Sequence, residues 1–148
     1  MPPLPSLLLL AFLVVPSLST TIMHFRGNII CNLNRPFNYQ IQVIEYDEFS
    51  PDDKISRSSI TFANSSPHPY NITAYDDHDM LEKYFQIRFH IFHDCTDNGS
   101  GVMMDVEFGY VYIYPGSYYY ENQNFDVTNK GELSDWLDWH TNVIIHQK

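Results

Sequence analysis

The chain is poor in cysteine, in positive charge and in long apolar runs, and each shortage removes an option. With only Cys31 and Cys95 present, a single internal crosslink is the most it can make. Lys and Arg together number 8 against 18 Asp and Glu, for a net charge of −10. The eight basic residues are scattered from Arg26 to Lys148, so neither nucleic acid nor an anionic lipid surface is an expected partner of the general field. The most apolar block, Leu7 to Val15, is too short to span a bilayer, which leaves no transmembrane segment. No internal repeat and no low-complexity segment is present. What the chain has in quantity is aromatic and apolar residues, 16% and 44%, and over 148 residues these argue for one domain with a real core rather than disorder.

The apolar block is followed by Pro16 and the small residues Ser17, Ser19 and Thr20, the pattern of a secretory signal peptide over residues 1–20. Nothing before Arg26 is charged, so the positive end of that signal is the α-amino group alone. Export sets an oxidising compartment, where Cys31 and Cys95 most simply pair with each other; a free thiol nucleophile is the rival reading. Closing so long a loop would stabilise the fold by roughly 4 kcal/mol. Three sequons, Asn64-Ser65-Ser66, Asn71-Ile72-Thr73 and Asn98-Gly99-Ser100, are candidate glycosylation sites on the same route.

Tyr84 to Cys95 carries the clearest periodicity. Phe85, Ile87, Phe89, Ile91, His93 and Cys95 share one parity, and Tyr84, Gln86, Arg88, His90 and Asp94 the other, which describes a strand with one buried face. His24 to Asn32 and Tyr39 to Tyr46 alternate in the same way, and the Asn34-Arg35-Pro36-Phe37 turn signal between them predicts a hairpin. Further strands are expected over Ser56 to Ala63, Tyr70 to Tyr75, Met103 to Tyr114, Tyr118 to Tyr120 and Asn124 to Thr128. Between Val106/Phe108 and Val111/Ile113 the apolar parity changes, and Gly109 between them predicts a bulge. Asp76 to Lys83 is expected to form a helical turn, and the 3–4 spacing of Leu133, Trp136, Leu137 and His140 a short amphipathic helix in a tail over 132–148. Short strands at regular spacing over 21–131 indicate an all-β fold, a seven- to eight-stranded antiparallel β-sandwich with one short helix.

Several of these stretches resemble the nematode transthyretin-like family of secreted proteins. The matching residues are Arg26-Gly27 ahead of Cys31, the strand ending Glu45-Tyr46-Asp47-Glu48, Pro51-Asp52-Asp53, Ile91-Phe92-His93-Asp94-Cys95 and Phe125-Asp126-Val127. The resemblance covers about residues 24 to 130. It implies an exported sandwich of the transthyretin type with a Cys31–Cys95 disulfide. Asn64 to Tyr70 replaces the family's usual Asp-x-x-Gly-x-Phe turn, and the Trp136 and Trp139 tail is also outside the pattern, so the chain reads as a diverged member.

For catalysis the residues offer little. Enzymatic relatives of transthyretin use a C-terminal Tyr-Arg-Gly-Ser motif, whereas this chain ends Ile144-Ile145-His146-Gln147-Lys148, and no catalytic residue is assigned. His90 and His93 fall on opposite faces of their strand, which is wrong for a shared metal, and His93 is expected to be hydrogen-bonded near Cys95. Asp76, Asp77 and Asp79 lack a calcium-loop pattern and read as a solvated acidic turn. No metal and no cofactor is therefore expected. Tyr110, Tyr112 and Tyr114 are accounted for by strand propensity and core packing, while Tyr118, Tyr119 and Tyr120 must expose at least one ring and form the candidate binding surface. The expectation is a secreted, non-enzymatic binding protein engaging an extracellular protein, lipid or small hydrophobic ligand. A homo-oligomer through an edge strand near Tyr118 to Thr128 is a further expectation, and the alternative is a hydrolase or metal-dependent enzyme built on the same fold.

Overall fold

The periodicity of the strand over Tyr84–His93 is realised in the computed structural model, which describes residues 20–46, 51–56, 58–77, 84–112 and 118–134. Phe85, Ile87, Phe89, Ile91 and His93 are all buried there, and so is Phe92 on the opposite face. In chain order the strands are β1 (Thr20–Ile30), β2 (Phe37–Glu45), β3 (Asp53–Lys54), β4 (Thr61–Ala63), β5 (His68–Asp77), β6 (Tyr84–His93), β7 (Val102–Tyr112), β8 (Tyr118–Asn122), β9 (Phe125–Asp126) and β10 (Glu132–Leu133). They form two sheets. One runs β5-β1-β8 with β9 also on β1, and the other runs β10-β7-β6-β2-β3 with β4 also on β2.

The fold is all-β, with three departures from the expected arrangement. The first two strands are not a hairpin: β1 pairs with β5 in one sheet and β2 with β6 in the other. Only the parity of each strand is local, and the partner is chosen by burial across the whole chain. Nor is the pairing wholly antiparallel, because β8 and β9 run parallel to β1. Finally, no helix occurs among the described residues. Asp76 and Asp77 are the last residues of β5, paired with Thr21 and Thr20, and Leu133 lies exposed in β10. The remainder of both expected helices, 78–83 and 135–148, lies outside the described residues.

Face-to-face packing of the sheets is carried by aromatic rings. Phe89 of β6 meets Phe25 of β1 at 5.0 Å, Phe125 of β9 at 5.1 Å and Phe108 of β7 at 5.7 Å between centroids. These edge-on and tilted contacts suit the ring quadrupoles. Along one side the sheets are strapped by the segment after β3. Ile55 N–H donates to Val43 O at 3.0 Å, and Ile55 O accepts from Tyr75 N–H at 2.9 Å, so one residue bonds both sheets. Where β1 passes the β8–β9 junction a glycine is required, since a Cβ on Gly27 would lie 1.9 Å from the Gln123 carbonyl oxygen.

Cys31 and Cys95 form the disulfide, with Cα atoms 6.0 Å apart. It ties the residue after β1 to the second residue after β6 and so joins the two sheets at one end. Polar bonds reinforce that end. The Asp94 carboxylate accepts from Asn38 N–H and Nδ2, both at 2.7 Å, and Arg35 donates to the carbonyls of Asp94 and Thr96. Asn129 and Asp97 bond reciprocally, at 2.8 and 3.1 Å.

His93 lies beside this clasp, fully buried, and neither ring nitrogen has a partner at hydrogen-bond geometry. The expected hydrogen bond near Cys95 does not reach that geometry, and the polar group acting on the ring there is the Lys130 backbone. Burial pushes the His93 pKa below its ordinary value, against smaller opposing effects of the Lys130 backbone and Asp94. A histidine held neutral in the fold contributes stability that is present above its unfolded pKa and lost as pH falls below it. Stability of the wild type should accordingly drop between about pH 7.5 and pH 5.5, and the His93→Leu variant should lose less over that interval. Denaturant titrations at the two pH values measure this, and equal losses in both proteins would assign the acid sensitivity elsewhere.

Candidate functional site: a tyrosine face on the second sheet

β7 enters its sheet with Val102, Met104, Val106 and Phe108 turned to the core. Had that parity continued, Tyr110 and Tyr112 would also point inward. Instead the register against β6 shifts, with Ile87 opposite Gly109 but Arg88 opposite Glu107. The bulge places Gly109 at φ 117°, a conformation that favours glycine, and open space surrounds its α-carbon on the side where a Cβ would stand. Beyond it Val111 is buried, and Tyr110 and Tyr112 face outward with 58% and 68% exposure. Tyr84, 48% exposed, lies directly opposite Tyr112. Its ring meets Tyr110 at 4.9 Å and 85°, and Tyr112 at 6.4 Å and 73°. Three tyrosines thus form one exposed cluster of nearly perpendicular rings, contrary to the core role expected of Tyr110 and Tyr112. The parity change around Gly109 was the signal for it, because Val111 can turn in only if its neighbours turn out.

Next to the rings the same face carries charge. Arg88 binds Asp105 through Nε to Oδ1 at 3.1 Å and Nη2 to Oδ2 at 3.0 Å, and its guanidinium lies 5.2 Å from the centre of the Tyr46 ring. His90 Nε2 is 3.9 Å from the same carboxylate, but burial lowers its pKa, so it is neutral at physiological pH. Arg88 is therefore fully engaged within the sheet.

The triplet expected to be the binding surface is divided between the two sides of its strand. Tyr119 packs inward, 5.9 Å from Phe25 and 6.2 Å from Phe108, and donates to Glu121 Oε2 at 3.1 Å. Burial and then the Glu121 carboxylate push its pKa up to about 12. Tyr120 is 64% exposed and stacks on His24 at 4.8 Å, while His24 Nδ1 lies 3.0 Å from Thr73 Oγ1. Tyr118 pairs with Ile22 in the backbone register, and its side chain lies outside the described set. Among the described residues β8 is the last strand of its sheet, as the oligomer expectation requires of an edge.

Asn64, Asn71 and Asn98 are all exposed. Asn64 follows β4 near Phe37, and Asn98 sits in the loop after Cys95, where its Oδ1 accepts from Thr96 Oγ1 at 3.1 Å and Ser100 N–H at 3.0 Å. Asn71 is on the other sheet, opposite Arg26. Two sequons are thus at the disulfide end and one on the first sheet, whereas Tyr84 and Tyr112 stand at the far end of the second.

A cleft of about 1010 Å³ opens between β5 and the segment from Asp53 to Thr61. Its floor includes Tyr39, Ile41 and Ile72, and its walls carry the hydroxyls of Ser56 and Ser58. The Tyr39 hydroxyl is 2.9 Å from His68 Nδ1, and Tyr70 donates to Gln123 O at 2.7 Å. Burial raises the pKa of both tyrosines, so neither is poised as a base at neutral pH. Among the described residues no group of three or more His, Cys, Asp or Glu side chains is placed to hold a metal ion. Asp79, the third member of the acidic stretch, lies outside them.

No protein-family model matches the chain, and no curated protein does. Among solved structures a 9R-lipoxygenase from Cyanothece is similar over 72% of this chain, at 11% identity and a TM-score of 0.40. The matched part is 16% of that enzyme's length.

Proposed function

We propose that the protein is a secreted, non-enzymatic binding module on a transthyretin-type β-sandwich, and that Tyr84, Tyr110 and Tyr112 form its recognition surface. The observation that carries this reading is the outward turn of Tyr110 and Tyr112 at a bulge, where both rings meet exposed Tyr84. Large rings with polar tips, left exposed in one cluster, are what protein-binding surfaces are enriched in. The two-sheet order with a disulfide between the sheets, and the signal-like segment 1–20, support the transthyretin-type and secreted parts of the reading. An extracellular protein is the partner class that an exposed cluster of rings suits better than a small ligand, which needs an enclosing pocket.

Affinity capture from extracellular fluid, using as bait the oxidised wild type and a Tyr84→Ser, Tyr110→Ser, Tyr112→Ser variant, tests this. The expected result is a partner recovered by the wild type and by Tyr120→Ser, but lost from the triple variant while its thermal unfolding changes little. Equal recovery by the triple variant would move the recognition surface elsewhere.

A further inference from the structure

Among the described residues β5 is the outer strand of its sheet, and it pairs with β1 in one unbroken register from Asp77 opposite Thr20 to His68 opposite Ile29. In an antiparallel ladder the backbone groups of alternate residues point to opposite edges. Tyr75 N–H donates away from β1, to Ile55 O at 2.9 Å, so Tyr75, Thr73, Asn71 and Pro69 all direct their backbone groups to the outer edge. Pro69, which has no N–H to give a ladder, falls in that set as it must. Near Tyr75 the edge is closed by Ile55 and by the bridge of Ser56 to Ala74. At Asn71 it is open: neither its N–H nor its C=O has a partner among the described residues. Asn71 lines the cleft of about 1010 Å³ described above, whose floor includes Tyr39, Ile41 and Ile72. In the wall contributed by the segment after β3 the Ser58 hydroxyl is buried without a hydrogen-bond partner. Lys54 is the one lysine or arginine of the described lining and directly follows Asp53, so the cleft has no net field for an anion. A donor and an acceptor on one edge residue match the closely spaced pair of bonds exchanged with an antiparallel neighbour. An extended backbone also carries polar groups along its other edge, toward the Ser58 wall.

We propose that this cleft binds a short, uncharged, extended peptide segment, which adds to β5 as a strand opposite Asn71. The peptide residue facing Asn71 gives its N–H to Asn71 O and accepts Asn71 N–H on its C=O. Its side chain lies on the outer face with that of Asn71, while the residues before and after it turn inward over Tyr39, Ile41 and Ile72, as buried Tyr70 and Ile72 do on β5. The preferred order is therefore apolar, polar, apolar. Pro69 limits the strip on one side and the Ser56–Ala74 bridge on the other, so the paired segment is short. Side chains stand perpendicular to the hydrogen-bonding direction of a sheet, so the Asn71 sequon and the Asn71 edge groups point different ways. Tyr84, Tyr110 and Tyr112 do not line the cleft, and this site and the tyrosine face stand or fall separately.

The test is an amide NMR titration of the oxidised full chain with the blocked peptide acetyl-Ser-Val-Thr-Val-Ser-amide. The other arms are the same peptide with serine for both valines, the same peptide N-methylated at its threonine, and maltotriose as a neutral saccharide. Saturable shifts are expected at Ser58, Tyr70, Asn71 and Ile72 with the valine peptide, together with slower hydrogen exchange at the Asn71 amide. The N-methylated peptide cannot donate to Asn71 O and should bind roughly twofold to tenfold more weakly, the loss of one hydrogen bond. Asn71→Pro should weaken the valine peptide by a similar factor. That N–H takes no part in the β1–β5 ladder, and Pro69 already holds the equivalent position two residues earlier. Ser59→Trp, on an exposed wall of the cleft, should block binding and leave thermal unfolding nearly unchanged. No saturable shift, shifts away from the cleft, equal binding of the N-methylated or serine peptide, or binding of maltotriose in place of the valine peptide would overturn the proposal. The N-methylated arm alters the ligand alone, so it decides the question even if Asn71→Pro fails to fold.

Discussion

Replacing Cys31 and Cys95 together by alanine should lower the unfolding free energy by about 4 kcal/mol. The bridge closes a loop with a sequence separation of 64 residues, and the constraint acts on the unfolded chain, whose freedom it reduces. It also holds together strands belonging to different sheets, β1 and β6, which share no backbone ladder. The polar clasp of Arg35, Asn38, Asp94 and Asn129 holds the same end without the sulfurs, so the double variant should still fold and show the same two-state transition at lower denaturant. Guanidinium titrations of oxidised wild type and double variant provide the comparison. A difference under about 1 kcal/mol would mean that the clasp alone supplies the constraint.

Phe89→Ala should cost about 3 to 5 kcal/mol, close to the whole stability of many domains of this size. Phe89 is 0% exposed and touches rings from three other strands, Phe25, Phe108 and Phe125. Two of those partners belong to the opposite sheet or to strands paired with it. Truncation therefore leaves a void between the sheets. Phe62, 63% exposed, is the matched control, and Phe62→Ala should change stability by no more than about 0.5 kcal/mol. Similar midpoints for the two variants would show that the sheets are not held by the ring cluster at Phe89.

How much of this could be read from residues alone follows from what is local. The alternation of β6, the inward direction of Cys31 and Cys95, and the bulge at Gly109 each depend on parity within a few residues, and all three hold in the structure. Which strand pairs with which does not have that property. The turn at Asn34 to Phe37 suggested a hairpin, yet that turn carries the chain from one sheet to the other. Nothing within β1 marks it as the strand that receives β5 on one side and β8 in parallel on the other. The site shows the same division. Three consecutive tyrosines from Tyr118 drew attention by their density, but alternation sends Tyr119 into the core and leaves Tyr120 stacked on His24. Tyr84 and Tyr110 are 26 positions apart and become neighbours only through the β6–β7 register. Their cluster was half visible in the parity change around Gly109, and its other half required the pairing.

Tyrosine footprinting tests the recognition surface most directly. Wild-type protein would be lightly iodinated alone and in complex with its captured extracellular partner, and modification at each tyrosine read by mass spectrometry. If the bulge presents the binding face, Tyr84, Tyr110 and Tyr112 lose reactivity in the complex while Tyr75 and Tyr120, exposed on the other sheet, keep theirs. Protection of Tyr75 and Tyr120 with Tyr84, Tyr110 and Tyr112 still reactive would contradict it and place binding on the first sheet.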